Sequence, residues 1–294
     1  MHCRILKTMV SPLRVSVSMF DSLYLRQERE NILRRIDTEI NETNEAALLG
    51  CNGFLANGDL SRFRDTLARC FPTSNHDRHE KLLLDLGCGI GGLGIWLATE
   101  FKCRLVGIDF SSVAISRAQA TLPKELRAEK SRFKVADFAA TGLDDESVTA
   151  AISLDALYLA SDPVAALVEA GRVLIPGGLL LFTVYVKLSP QEYPGTSELK
   201  LDWRPLLKST GFASERYEDV SFLWRRHMRN RHQHRWKERK RIRAELGPQA
   251  EAELAVSAAM LGLGGRPSFL DHTARFEVVA RRVRSPSKGH SRQV

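Results

Sequence analysis

The stretch Lys81-Leu82-Leu83-Leu84-Asp85-Leu86-Gly87-Cys88-Gly89-Ile90-Gly91-Gly92 constrains the fold more than any other part of this 294-residue chain. A short leucine run without polar alternation suits a strand buried on both faces. Glycines follow it directly, and an apolar helical pattern runs from Gly92 to Phe101. In such a strand-turn-helix the backbone can approach a ligand closely, and the helix N-terminus offers free N–H groups. The alternation recurs as CRLVGID before Ser112 to Thr121, SRFKVADF, TAAISLDAL before Pro163 to Val173, GLLLFTVY before Trp203 to Thr210, and a sixth run from Phe212 to Val220. Buried strands alternating with helices predict a doubly wound α/β core with a mostly parallel sheet, starting near residue 80. FEVVARRV, residues 276 to 283, reads as the last strand.

Upstream, Leu25, Ile32, Leu33, Ile36 and Ile40 recur at helical spacing after Asp21 or Ser22, which predicts an amphipathic helix over 21–43. A second is expected around Leu60 to Cys70, and CFPTSNHDRHE reads as a polar joint. The expected organisation is a flexible N-terminus (1–20), an N-terminal helical cap (21–79), the α/β core (80–220), a helical insertion before the last strand (221–265), that strand (266–284) and a disordered tail (285–294).

Composition excludes several classes. At 44% hydrophobic and 27% charged the chain reads as soluble and globular. No run approaches the ~18 apolar residues of a membrane span. The N-terminus is basic and free of acids, but lacks the unbroken apolar core of a signal peptide; its composition leaves a mitochondrial presequence open. The five cysteines, at 3, 51, 70, 88 and 103, are odd in number and form no CxxC pair, against a disulfide framework or a zinc site. A reducing cytoplasm is the expected location. The net charge of +8 is local: residues 222–246 hold ten basic and two acidic residues, leaving 33 of each sign elsewhere.

Gly87, Gly89 and Gly92 also satisfy the dinucleotide pattern G-x-G-x-x-G, and Asp109, twenty residues after Gly89, suits ribose hydroxyls in either setting. Asp85 separates the two readings. A carboxylate beside the loop is useful to an ammonium group and awkward for a pyrophosphate. In this order and spacing, DLGCGIGG, VGIDFS, VADF, SLDALYLASDP and RVLIPGGLLLF resemble the class I S-adenosylmethionine-dependent methyltransferases. The nearest branch is the small-molecule enzymes related to those of ubiquinone and menaquinone. The resemblance implies a seven-stranded Rossmann-like sheet with an antiparallel last strand, and S-adenosyl-L-methionine as cofactor. It implies that Asp85 steers the methionine amino group, Gly87 and Gly89 pass under the methionine and ribose, and Asp109 holds the ribose hydroxyls. Phe110 would flank the adenine, Asp137 and the Phe138 backbone would contact it, and Ser153 and Leu154 would line the sulfonium side.

The acceptor side is expected after the fourth strand. Asp155 reads as a base or a solvated loop carboxylate, and Tyr158 as a wall of the site or as packing. Tyr185, just past the fifth strand, is a third candidate; Tyr24 and Phe54 of the cap either face substrate or belong to the helix core. In the implied topology the basic segment borders the active site. On one helical wheel Trp224, Met228, His232, Trp236, Arg239, Ile242 and Leu246 form a stripe, with Arg231 and Arg235 intruding on it. Four readings stay open: a lid with a solvated basic face, a grip for a phosphate- or diphosphate-bearing acceptor such as a prenyl diphosphate, nucleic acid binding, and a membrane surface. Trp224, Arg225 and His227 are the candidate acceptor contacts there. A nucleic-acid-binding methyltransferase would more often bring a separate recognition domain, and none is visible. His227, His232 and His234 read as surface residues rather than metal ligands, because residues two apart on a helix do not face each other. Caps of this kind also mediate dimers, so a homodimer is one expected state.

Overall fold

The leucine run becomes the central strand β1 (Leu82–Leu86), buried along its whole length. The computed structural model describes residues 21, 24, 32–40, 55, 58–71, 81–188, 202–265 and 267–283. Leu25, Phe54, the N-terminal 1–20 and the tail 285–294, all parts of the sequence reading, lie outside them. The core continues as α3 (Gly92–Phe101), β2 (Arg104–Asp109), α4 (Ser112–Thr121), α5 (Lys124–Ala128), β3 (Arg132–Val135), β4 (Val148–Ser153), α6 (Pro163–Val173), β5 (Leu174–Lys187), α7 (Trp203–Ser209) and β6 (Phe212–Asp219). Before it lie α1 (Ile32–Ile40) and α2 (Asp59–Leu67); after it come α8 (Ser221–Lys237), α9 (Arg239–Leu246), α10 (Ala250–Leu261), α11 (Phe269–His272) and β7 (Thr273–Arg282).

The seven strands form one sheet of order β3-β2-β1-β4-β5-β7-β6. Pairs among β1 to β5 are parallel, and β7 runs antiparallel between β5 and β6. The two-residue period of a strand divides the sheet between two cores. Leu82, Leu84 and Leu86 face α6 and α7, with Phe182, Leu167, Trp203 and Leu207. Leu83 faces the other way, toward α2, α3 and α4, with Phe63, Leu97, Ile115 and Leu181. Asp85 shares the side of Leu83, which places a carboxylate under α3. Helix starts follow capping chemistry: the side chains of Ser111, Asp162 and Asp202 accept backbone N–H bonds at α4, α6 and α7.

The flanking helices depart from the sequence reading in two respects. The basic segment breaks at Glu238 into α8 and α9 instead of forming one rod. Its stripe is nonetheless buried, with Trp224, Met228, His232 and Ile242 in the core. Ile32, Leu33 and Ile36 of α1 pack on Ile242, Ala250, Leu254 and Trp236, so α1 and the insertion share one apolar layer. The last strand also begins three residues earlier than expected, at Thr273, and so takes in Arg275. Among the described residues no helix is long and apolar enough to cross a membrane.

Asp37 of α1 fixes the two intruding arginines. Its Oδ2 lies 2.6 Å from Arg235 and 2.7 Å from Arg231. Burial alone would raise its pKa, but Arg235 and Arg231 outweigh burial and hold it below the ordinary value. Such a carboxylate stabilises the fold at neutral pH, and the stabilisation is lost as pH falls below ~4 toward the depressed native pKa. Asp37→Ala leaves the buried Arg235 and the half-buried Arg231 without their carboxylate and is expected to cost about 3–5 kcal/mol at pH 7. Urea unfolding at pH 7 and pH 3 measures this, and the difference from wild type should shrink at pH 3.

Candidate active site

The glycine loop is held open by sterics and by one carboxylate. Gly87 has φ +75°, and a Cβ there would stand 2.4 Å from Cβ of Ala156 and 3.3 Å from the Phe138 ring. Gly89 has φ +52°, and its N–H donates to Asp109 Oδ2 at 3.0 Å. The other oxygen, Oδ1, accepts from the Ser111 N–H at 2.9 Å. Asp109 therefore shapes the loop while each oxygen keeps a lone pair for a ligand hydroxyl.

Asp85 lies below. A Cβ at Gly94 would meet its Oδ2 at 2.6 Å, so this first turn of α3 needs glycine to admit the carboxylate. Burial, then the charge of Asp109, push the Asp85 pKa up to about 7, against the Gly94 N–H. Burial also raises Asp109, opposed by the N–H groups of Ser111 and Gly89. Among the described residues no cationic side chain bonds to either carboxylate. Two buried anions beside a glycine turn make a site for a cation carrying hydroxyls.

The other expected cofactor residues surround this turn in varied states. Phe110 follows Asp109 and is half-buried; Phe138 is buried against Gly87. Asp137 is exposed, its Oδ1 accepting the Ala139 N–H at 2.7 Å. Ser153 is spent on structure, its hydroxyl donating to the Leu86 carbonyl at 2.8 Å, and Leu154 is half-buried. Tyr24 sits on the loop: its hydroxyl would lie 3.0 Å from a Cβ on Gly89, and Arg117 donates to its backbone carbonyl. Asp21 bonds the Ser111 hydroxyl, so Asp21 and Tyr24 both lie against the residues that shape the glycine turn. That puts Tyr24 against the glycine turn; the sequence reading left it either facing substrate or in the helix core.

The acceptor-side candidates come together differently from expectation. Asp155 is not a solvated loop carboxylate. Its side chain is 4% exposed and ion-paired to Arg275, and its Oδ1 accepts from the Thr183 hydroxyl at 2.7 Å. Tyr185 lies within β5, directly across from Arg275 in the ladder. Tyr158 meets it edge-on at 5.5 Å between centroids, and Trp224 packs on its other side at 5.2 Å. Burial, then the Asp155 charge, push both phenols up, which removes them as bases at neutral pH. Trp224 is fully buried among Met228, Met260 and Leu270, a core residue behind the aromatic wall.

Arg225 is likewise committed to structure, bonding the Thr273 carbonyl at 2.9 Å. His227 is half-buried, its pKa lowered by burial and then by Arg231. His232, expected at the surface, is 2% exposed, with Nδ1 3.1 Å from the Ser257 hydroxyl. Sequence reasoning missed Arg275, Asp59 and Thr183. A signal for the first was present: in TARFEVV, Arg275 and Glu277 alternate with apolar residues and so share one face of a strand.

Residues 84–182 match the protein family described as "Methyltransferase domain". Over these residues the core of this chain is similar to methyltransferase domains. Tocopherol O-methyltransferase of Arabidopsis thaliana is 30% identical over 105 residues, covering 36% of this chain and 30% of that one. The 27-O-demethylrifamycin SV methyltransferase of Amycolatopsis mediterranei is 29% identical over 175 residues, covering 55% and 63%. The chain thus spans roughly one to two thirds of the length of the curated relatives it matches first. Among solved structures, the (4+2)-cyclase SpnF superposes with a TM-score of 0.61 at 23% identity, over 76% of this chain and 81% of that one. A cyclase on the same fold shows that a methyltransferase domain's shape does not by itself fix the chemistry.

The carboxylate pair gives this domain a pH signature. A carboxyl whose native pKa is raised to about 7 holds a proton that the unfolded chain has already released above pH ~4. The ligand-free protein should therefore lose stability as pH rises through 7, and Asp85→Asn should flatten that slope. Thermal melts between pH 5.5 and 8.5 read both outcomes.

Proposed function

We propose that the chain is an S-adenosylmethionine-dependent methyltransferase acting on a small-molecule acceptor. The observation that carries the proposal is the buried Asp85 and Asp109 pair on the glycine turn of a methyltransferase domain. The cofactor is cationic at its ammonium and sulfonium, carries ribose hydroxyls, and supplies an electrophilic methyl group. In this reading Asp85 takes the ammonium, Gly87 and Gly89 pass beneath the chain, and Asp109 accepts from the ribose. Phe110, Asp137 and Phe138 hold the adenine, with Leu154 on the methyl side. Tyr24 closes over the turn.

Methyl transfer from a sulfonium is an in-line displacement, so the protein mainly aligns the acceptor and excludes water. Asp155 and Tyr158 are the proposed acceptor-side residues. With Arg275 and Thr183 on its carboxylate, Asp155 suits orientation better than proton abstraction, since taking a proton means opening a buried ion pair.

The basic helices support a small, uncharged acceptor better than an anionic one. Arg229 pairs with Asp271, Arg231 and Arg235 with Asp37, Arg241 with Glu39 and Arg243 with Glu251. Arg239 bonds the Trp236 carbonyl and covers its ring. The exposed Arg226, Lys237 and Lys240 are what the diphosphate version retains, and they offer little to a nucleic acid. An alcohol and its diphosphate should be turned over within about tenfold of each other, ~1.4 kcal/mol. Strict dependence on the diphosphate would restore the anion grip.

Calorimetry tests the cofactor: S-adenosylmethionine should bind, NAD should not, and Asp109→Ala should weaken binding at least about tenfold, the loss of one charge-assisted contact. Absent binding, or an Asp109→Ala protein that binds as wild type does, overturns the assignment.

A further inference from the structure

The geometry points to Arg275 as a positioning residue for the acceptor side of the site, aimed by Asp59 of the N-terminal helix α2; this deepens the methyltransferase reading and rests on it. Arg275 has no exposure to water and its guanidinium is divided among three structural units. Nη1 donates to Asp59 Oδ2 at 2.7 Å, while Nε and Nη2 reach Asp155 Oδ1 at 3.3 and 3.2 Å. The same group lies 5.9 Å from the centroid of the Tyr185 ring.

Asp155 is where direction matters. It is two residues beyond the end of β4 and adopts φ +50°, a left-handed backbone that aspartate tolerates and most residues avoid. Its N–H donates to the Thr183 hydroxyl at 2.8 Å, and that hydroxyl donates back to its carboxylate. The loop so fixed leads into the turn Leu157–Leu159, which carries Tyr158 onto Tyr185, which in turn contacts Trp224. One buried cation thus sets the loop after β4, the wall on β5 and the first residue of α2.

The chain of charges extends past α2. Arg62, one turn on from Asp59, bonds both Asp59 and Glu277. Glu277 is fully buried two residues along β7 from Arg275, and also receives Arg216 of β6. Asp155, Arg275, Asp59, Arg62, Glu277 and Arg216 alternate in sign and balance as three anions and three cations. Without Asp59 the guanidinium loses its Nη1 partner and is held by Asp155 alone, so withdrawal of Asp59 frees the orientation in which Nε and Nη2 meet that carboxylate. Docking of α2 and alignment of Asp155 with the aromatic wall are one event.

The test uses the full chain labelled with 5-fluorotryptophan, whose four tryptophans are Trp96, Trp203, Trp224 and Trp236. Trp224 does not touch Asp59 and is linked to it through Arg275 and Tyr185. In Asp59→Asn and Arg275→Lys the Trp224 fluorine signal should shift while those of Trp96 and Trp203 stay, and S-adenosylmethionine affinity by calorimetry should remain within about twofold. On an acceptor found by product mass, kcat should fall about tenfold in Asp59→Asn with the cofactor KM unchanged, and Arg275→Lys should retain more activity than Arg275→Gln. An unmoved Trp224 signal in folded Asp59→Asn protein, or cofactor affinity falling in step with kcat, overturns the inference. Wild-type protein that binds no cofactor would end the methyltransferase reading instead, and the fluorine signals would still decide the coupling.

Discussion

A guanidinium sealed from water is stable only inside a shell of carboxylates, and Arg275 obtains its shell from parts of the chain far apart in sequence. Asp59 lies 216 residues before it and Asp155 lies 120 residues before it. Strand β7 can carry that charge because it lies between β5 and β6, with α2 covering one face. The pair Arg275 and Glu277 turns this face into a polar seam within an otherwise apolar sheet, and the seam is electrically balanced. Specific ion pairs of this kind add little net stability over apolar packing, but they penalise any arrangement in which a partner is misplaced.

The two sides of the site follow opposite electrostatic rules. On the glycine-turn side, Asp85 and Asp109 are buried close enough to repel each other, and no described cation neutralises them. That is an environment awaiting positive charge. On the proposed acceptor side the carboxylate Asp155 is already matched by Arg275, and its neighbours Tyr158 and Tyr185 are aromatic. The proposed reading thus expects a cation at the glycine turn and a largely uncharged molecule near Asp155, in keeping with methyl transfer from a sulfonium to a small acceptor.

The sheet was legible in the sequence because strands buried on both faces leave unbroken apolar runs, and the glycine turn was legible because its positive φ values and close approaches admit little else. The start of β7 was not, since Thr273 and Arg275 are polar residues whose partners are remote. The charge of residues 222–246 was legible as an amount and misleading as a surface: Asp37 and Glu39, which pair with Arg235 and Arg241, lie 198 and 202 positions away. Likewise the stripe of Trp224, Met228 and His232 was visible as a packing face, but nothing in its spacing distinguishes an acceptor wall from the core behind it. Asp155 read as a base or a solvated loop group because its neutralising partner was invisible in one dimension.

The central claim is methyl transfer to a small molecule. It is tested most directly by incubating the protein with S-adenosylmethionine carrying a deuterated methyl group and a panel of phenols, amines, alcohols and prenyl diphosphates, then reading product masses. The account predicts a labelled small-molecule product and S-adenosylhomocysteine in equal amount. Label transferred to RNA instead, or a bound cofactor left intact with every acceptor, as on a fold turned to other chemistry, would contradict it.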